Sequence, residues 1–183
     1  AAEPRTEQIA HAAGRLEEAL RRKPESSSLL SMMAALQNLK RDYASAVSFY
    51  RRALALGRKD ALDANNLAFL LSASEGKHEE ALAELAQAKN SFGPVPTLLD
   101  TEAQVHIAQG KPGKARALLN EVITRSPTGP SYFHLAQASL AERDRDDARA
   151  AWRQAKKLNL KPGDLHPLER DNYRKLEGEL GRE

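Results

Sequence analysis

The side chains in this sequence that can do chemistry include five histidines and adjacent acid pairs such as Glu79–Glu80 and Asp146–Asp147, with no thiol among them. Imidazole ligates metals and moves protons. Yet His11, His78, His106, His134 and His166 are scattered, and no two share a helix face at the spacing a metal site uses. Glu79–Glu80 and Asp146–Asp147 stand where helices should begin, and negative charge there is favoured by the helix dipole. No glycine-rich phosphate loop follows a strand, and no nucleophile elbow is present. Without cysteine the chain has neither disulfide nor thiolate chemistry, a composition compatible with either redox compartment. The expectation is a protein that is not an enzyme, with no catalytic residues, no cofactor and no metal.

Bulk composition agrees with a folded helical chain. Of 183 residues, 41% are hydrophobic and 29% charged, which separates the sequence from disordered ones. Aromatics are only 5% while alanine is plentiful, so the core should be built from close helix contacts. No apolar run approaches the length of about 18 residues that a membrane span needs. The net charge is +3, and basic residues alternate with acidic ones, as in "RDRDDARAAWRQAKK". Such a balance reads as a solvated helix face and argues against a nucleic-acid partner. The chain begins Ala1-Ala2-Glu3-Pro4 without methionine and is expected to be a segment of a longer protein or a processed product.

The elements that organise these residues emerge from a repeat. In "DYASAVSFYRRALAL" the residues Ala46, Tyr50 and Ala53 fall on one helix face, small, then large, then small. The same pattern occurs at Ala12/Leu16/Ala19, Ala81/Leu85/Ala88, Ala115/Leu119/Val122 and Ala148/Trp152/Ala155. The intervals are 46 − 12 = 34, 81 − 46 = 35, 115 − 81 = 34 and 148 − 115 = 33 residues. A second signature precedes four of these copies and centres on a small residue: Ala34, Ala68, Ala103 and Ala136. A large apolar residue usually stands before it, but Glu102 takes that place in one copy, which should therefore pack less well or present Glu102 to a partner. Each unit is expected to be two helices, the small residue of the first meeting the alanines of the second. "KRD", "SEGK", "QGK" and "ERD" break the pairs: Gly76 and Gly110 suit a left-handed helix end, Asp42 and Asp144 suit N-caps, and Pro112 suits a first turn.

These residues resemble the tetratricopeptide repeat family, whose units are helix–turn–helix hairpins of about 34 residues. The resemblance runs from residue 5 to about 160. Departures are an insertion around Ser72–Gly76, Glu102 in its apolar slot, and Arg58 where a unit-ending proline would stand. It implies an all-α, right-handed α-solenoid: a half repeat at 5–26, full repeats at 27–60, 61–95, 96–128 and 129–162, and a capping helix in 163–183. In that last segment Leu168, Tyr173, Leu176 and Leu180 form an apolar stripe that would cover the end of the core.

The resemblance also implies where a partner would sit. First helices of such repeats line an inner surface, and its positions fall on Asn38, Asn65, Phe69, Asp100, Gln104, Phe133 and Gln137. Ser31, Ala35, Ser72, Ile107 and Leu140 accompany them, and His134 is a further candidate. Amides there can bond a peptide backbone, and Phe69 and Phe133 can form apolar pockets. Family members that grip a chaperone's C-terminal carboxylate use Lys, Asn and Arg on successive first helices. Here Asn66 matches one Asn, but Ser31, Ala35, Leu62, Thr97 and Thr101 occupy the other places, which argues against such a clamp. The expected function is a protein–protein interaction scaffold that binds a peptide or helix in the groove, with homo-oligomers through the ends of the array a further expectation. The alternative is an accessory repeat domain of a larger enzyme, such as a glycosyltransferase, that recruits substrate or partner.

Overall fold

The computed structural model describes residues 6–57 and 59–181, and every regular element among them is helical. In order these are α1 (Thr6–Arg22), α2 (Ser27–Leu39), α3 (Tyr43–Ala55), α4 (Ala61–Glu75), α5 (His78–Phe92), α6 (Pro96–Ala108), α7 (Pro112–Arg125), α8 (Gly129–Ala141), α9 (Arg145–Lys157) and α10 (Arg170–Leu180). Two 3-10 turns, Pro162–Asp164 and Pro167–Glu169, lead into α10. The backbone gathers into two compact units, Ala1–Ser91 and Phe92–Glu183, with the division at the C-terminal end of α5. Arg58 lies outside the described residues.

The repeat positions form the core. Ala34, Ala68, Ala103 and Ala136 on the first helices are wholly buried, as are Ala46, Ala81, Ala115 and Ala148 on the second. The bulky residues between the alanines, Tyr50, Leu85, Leu119 and Trp152, are no more than 3% exposed. Glu102 is half-buried and engaged within the protein, whereas Met33, Leu67 and Leu135 in the same place of the other copies are buried. The exception is α1, where Ala12 is exposed and Leu16 and Ala19 are half-buried. In the first unit α3 packs against both α2 and α4, whereas α1 packs mainly against α2.

Helix ends follow the local sequence. Asp42 and Asp144 cap α3 and α9 by accepting the backbone N–H of Ser45 (3.2 Å) and Asp147 (3.1 Å). Pro112 stands in the first turn of α7. The four hairpin turns share one left-handed residue: Arg41 (φ 64°), Gly76 (φ 66°), Gly110 (φ 69°) and Arg143 (φ 64°). In three of them the next N–H bonds a carbonyl five residues back: Asp42 to Gln37, Lys111 to His106 and Asp144 to Ser139. After α4 it reaches six back, from Lys77 to Leu71, at 2.8 Å. The turn is kept, and α4 runs to 15 residues where α2, α6 and α8 have 13.

In the second unit α10 covers the last hairpin. Tyr173, Leu176 and Leu180 are buried, while Leu168 is half-buried. The Tyr173 ring meets Trp152 edge-on, with centroids 5.1 Å apart, and lies 6.2 Å from Phe133. Lys156 sits over Trp152 and Tyr173 and donates to the Tyr173 hydroxyl at 2.7 Å.

The hairpin turns yield a direct stability test. A left-handed conformation costs a residue with a Cβ about 1–2 kcal/mol, part of which glycine's greater unfolded-state freedom offsets. Arg143→Gly should therefore stabilise the protein by roughly 0.5 kcal/mol. Gly110→Ala should destabilise it by about 1 kcal/mol, since its added methyl meets nothing within 4 Å and the cost is torsional. Urea unfolding midpoints measure both.

Candidate functional site

The second unit contains the most strongly organised polar cluster, at one level of its first helices. His134 on α8 is 2% exposed. Its Nδ1 faces Asp100 of α6, 3.0 Å from Oδ1 and 2.9 Å from Oδ2. Its Nε2 lies 2.7 Å from Glu169 Oε1, in the turn before α10. Gln104 Nε2 donates to Asp100 Oδ2 at 3.1 Å, one helical turn along α6. Burial by itself pushes the His134 pKa down. The Asp100 charge and the hydrogen bonds to Asp100 and Glu169 outweigh it and hold the value up to about 10. A buried imidazolium thus ties α6, α8 and the lead into α10 together.

Chemically this arrangement is a clamp. Both ring nitrogens are occupied by carboxylates, which leaves no lone pair to take a proton from a substrate. The two nitrogens also point to opposite sides of the ring, so the carboxylates they meet do not converge on one cation. No cluster of three or more His, Asp or Glu residues that could hold a metal ion occurs among the described residues. His134 was expected as a groove residue. The structure corrects this: the carboxylates on either side, at positions one repeat apart, draw it into the core.

Phe133 also requires correction. It is wholly buried against Tyr173 and His134, in the core cluster that includes Trp152, and presents no surface to a ligand. Phe69, Asn38 and Asn65 in the first unit are half-buried on α4 and α2. Between those helices Ser31 donates to the buried Asp63 at 2.7 Å. Asn66, the residue that matched a carboxylate clamp, donates instead to the buried Tyr50 hydroxyl at 3.1 Å. Ser72 is buried and pairs with His78 Nδ1 at 2.9 Å. His106 is buried too.

The second unit also has an open groove of about 430 Å³. Ile107 of α6, Leu140 and Ala141 of α8 and Leu176 of α10 supply apolar walls, and Gln137, Asn172, Lys175 and Glu179 supply polar ones. Gln137, Ile107 and Leu140 are brought together here. Asp100 and Gln104 instead bond one another and His134. Asn172, Lys175 and Glu179 were not anticipated. Their signal was available, because positions 172, 175 and 179 repeat at helical spacing beside the buried stripe 173, 176 and 180.

No family model matches the sequence, and no curated protein does. Solved structures match along most of the chain. PilW, a widely conserved type IV pilus biogenesis factor, is 20% identical with a TM-score of 0.77, over 96% of this chain and 80% of that one. PilF of Pseudomonas aeruginosa is 20% identical with a TM-score of 0.70, over 95% and 82%. A tetratricopeptide repeat protein from Parabacteroides merdae is 19% identical with a TM-score of 0.69, over 92% and 64%. The chain therefore has the all-α fold of tetratricopeptide repeats.

The clamp makes a signed prediction. Because the His134 pKa is raised above its unfolded value of about 6.5, its contribution to stability is complete below pH ~6.5 and is lost as pH climbs through about 10. His134→Gln leaves two partly buried carboxylates without their cation and should cost on the order of 3 kcal/mol at pH 6. The gap between variant and wild type should narrow steadily between pH 7 and 10 in urea titrations. A gap constant across that range would contradict a charged His134.

Proposed function

We propose that this chain is a non-catalytic protein-interaction scaffold that takes a peptide or helix on the groove of its first helices. The observation that carries this reading is the open cleft between α6, α8 and α10, where apolar walls and unblocked amides lie side by side. Apolar walls supply binding energy by dehydration, and Gln137 and Asn172 can bond a backbone and fix its register. Both nitrogens of the buried histidine are engaged, which speaks against acid–base chemistry in the same unit. The fold shared with a type IV pilus biogenesis factor supports a role in assembling other proteins.

Site-specific photo-crosslinking tests the reading. A photoreactive residue at Gln137 should capture a discrete partner in the source cell. The same group at the exposed Asn120 of α7, which lies off the groove, should capture none. Leu140→Asp in the Gln137 background should reduce capture about tenfold while helical circular dichroism stays unchanged. Equal capture from both positions, or capture indifferent to Leu140→Asp, would reject the groove as the binding site.

A further inference from the structure

The helix that completes the groove has its charges unequally engaged. In α10, Arg174 pairs with Asp171, Lys156 donates to Glu177 at 3.3 Å, and Arg170 is engaged within the protein. The two remaining charges of this helix, Lys175 and Glu179, are exposed, and among the described residues no ion pair or hydrogen bond occupies either. Both line the groove. They stand four residues apart with the lysine first, the order in which an acid and a base on one helix support each other less. At a rise of about 1.5 Å per residue they are separated by about 6 Å along α10. The side-chain amides of Gln137 on α8 and Asn172 on α10 are likewise unengaged among the described residues. Ile107 and Leu140 give the α6 and α8 side of the groove an apolar surface.

We infer, on the reading of this groove as the binding site, that it selects a short extended segment carrying one acid and one base at alternate positions, with an apolar residue between them. An extended chain rises about 3.3 Å per residue, so residues i and i+2 point to one side and lie about 6.6 Å apart. That spacing is close to the step from Lys175 to Glu179. A segment running along α10 sets its acid on Lys175 and its base on Glu179. The residue between them points away from α10, onto Ile107 and Leu140. The backbone of an extended segment is unpaired, so Gln137 and Asn172 find N–H and C=O groups to bond. A helical partner fits less well, because its backbone groups bond internally and would cover both amides without pairing them. Nucleic acid and an anionic lipid surface present one sign of charge, which Glu179 would repel.

The test pans a phage-displayed library of random 12-residue peptides against the whole chain. Three baits are compared: wild type, Leu140→Asp, and the exchanged pair Lys175→Glu/Glu179→Lys. Wild type should enrich a triplet of acid, apolar residue and base in one N-to-C order of charges, and the exchanged pair should enrich the opposite order. The leading peptide, synthesised with a fluorescein label, should bind wild type at least tenfold more tightly than the exchanged pair in anisotropy at 50 mM salt. Lys175→Gln/Glu179→Gln, which introduces no repulsion, should show an intermediate loss, and circular dichroism should confirm that every variant is folded. Peptides that depend on Leu140 but show no charge order, keep the same order after the exchange, or space their charges by four residues would overturn the inference and leave the groove standing as a binding site. No enrichment beyond that of Leu140→Asp would overturn both.

Discussion

Everything in this molecule depends on the close approach of two helices at an alanine. Where the first helix offers Ala34, Ala68, Ala103 or Ala136, the second offers Ala46, Ala81, Ala115 or Ala148, and each is fully shielded from water. A methyl group is the largest side chain that lets two backbones come this near. The bulky residue one turn away (Tyr50, Leu85, Leu119 or Trp152) then fills the space that opens as the helices diverge. Such a contact fixes both distance and register, so the same hairpin recurs wherever the pattern does. With aromatics only 5% of the chain, the core gains stability from the number of such contacts rather than from any one large side chain.

Fixing the hairpins also fixes what faces outward and what faces the neighbouring repeat. Asp100 and His134 are 34 residues apart, and Glu169 follows after 35, so one repeat interval separates each member of the clamp from the next. That periodicity lets a single imidazole satisfy two carboxylates, and it connects the lead into α10 with the two hairpins before it. Leu176 of α10 belongs both to the core and to the wall of the groove. The clamp therefore does more than add stability, because it holds in place the helix that completes the groove.

The hairpins, their turns and the covering helix were legible in the sequence because each depends on local pattern: alanine spacing, Gly76 and Gly110 at helix ends, Asp42 and Asp144 as caps. The candidate site was legible only in part. Gln137, Ile107 and Leu140 follow from their place on a first helix. Phe133 and His134 do not, because adjacent residues on a helix differ by about 100° in direction, and only the neighbours decide which of them turns inward. For His134 the neighbours are carboxylates contributed from 34 residues before and 35 after, which no local window contains. Ala12 departs for the opposite reason: its local pattern is right, but the cover that buries its counterparts is not provided by α2 alone.

The most direct measurement of the central contact is the unfolding free energy of Ala115→Leu beside that of Ala150→Leu, the latter an exposed alanine on α9. If helix approach at alanine governs the fold, three added carbons at position 115 should cost about 3 kcal/mol or more, and the same change at position 150 should stay within about 0.5 kcal/mol. Comparable small effects at both positions would contradict the account, since they would mean that the helices do not need alanine to pack as they do.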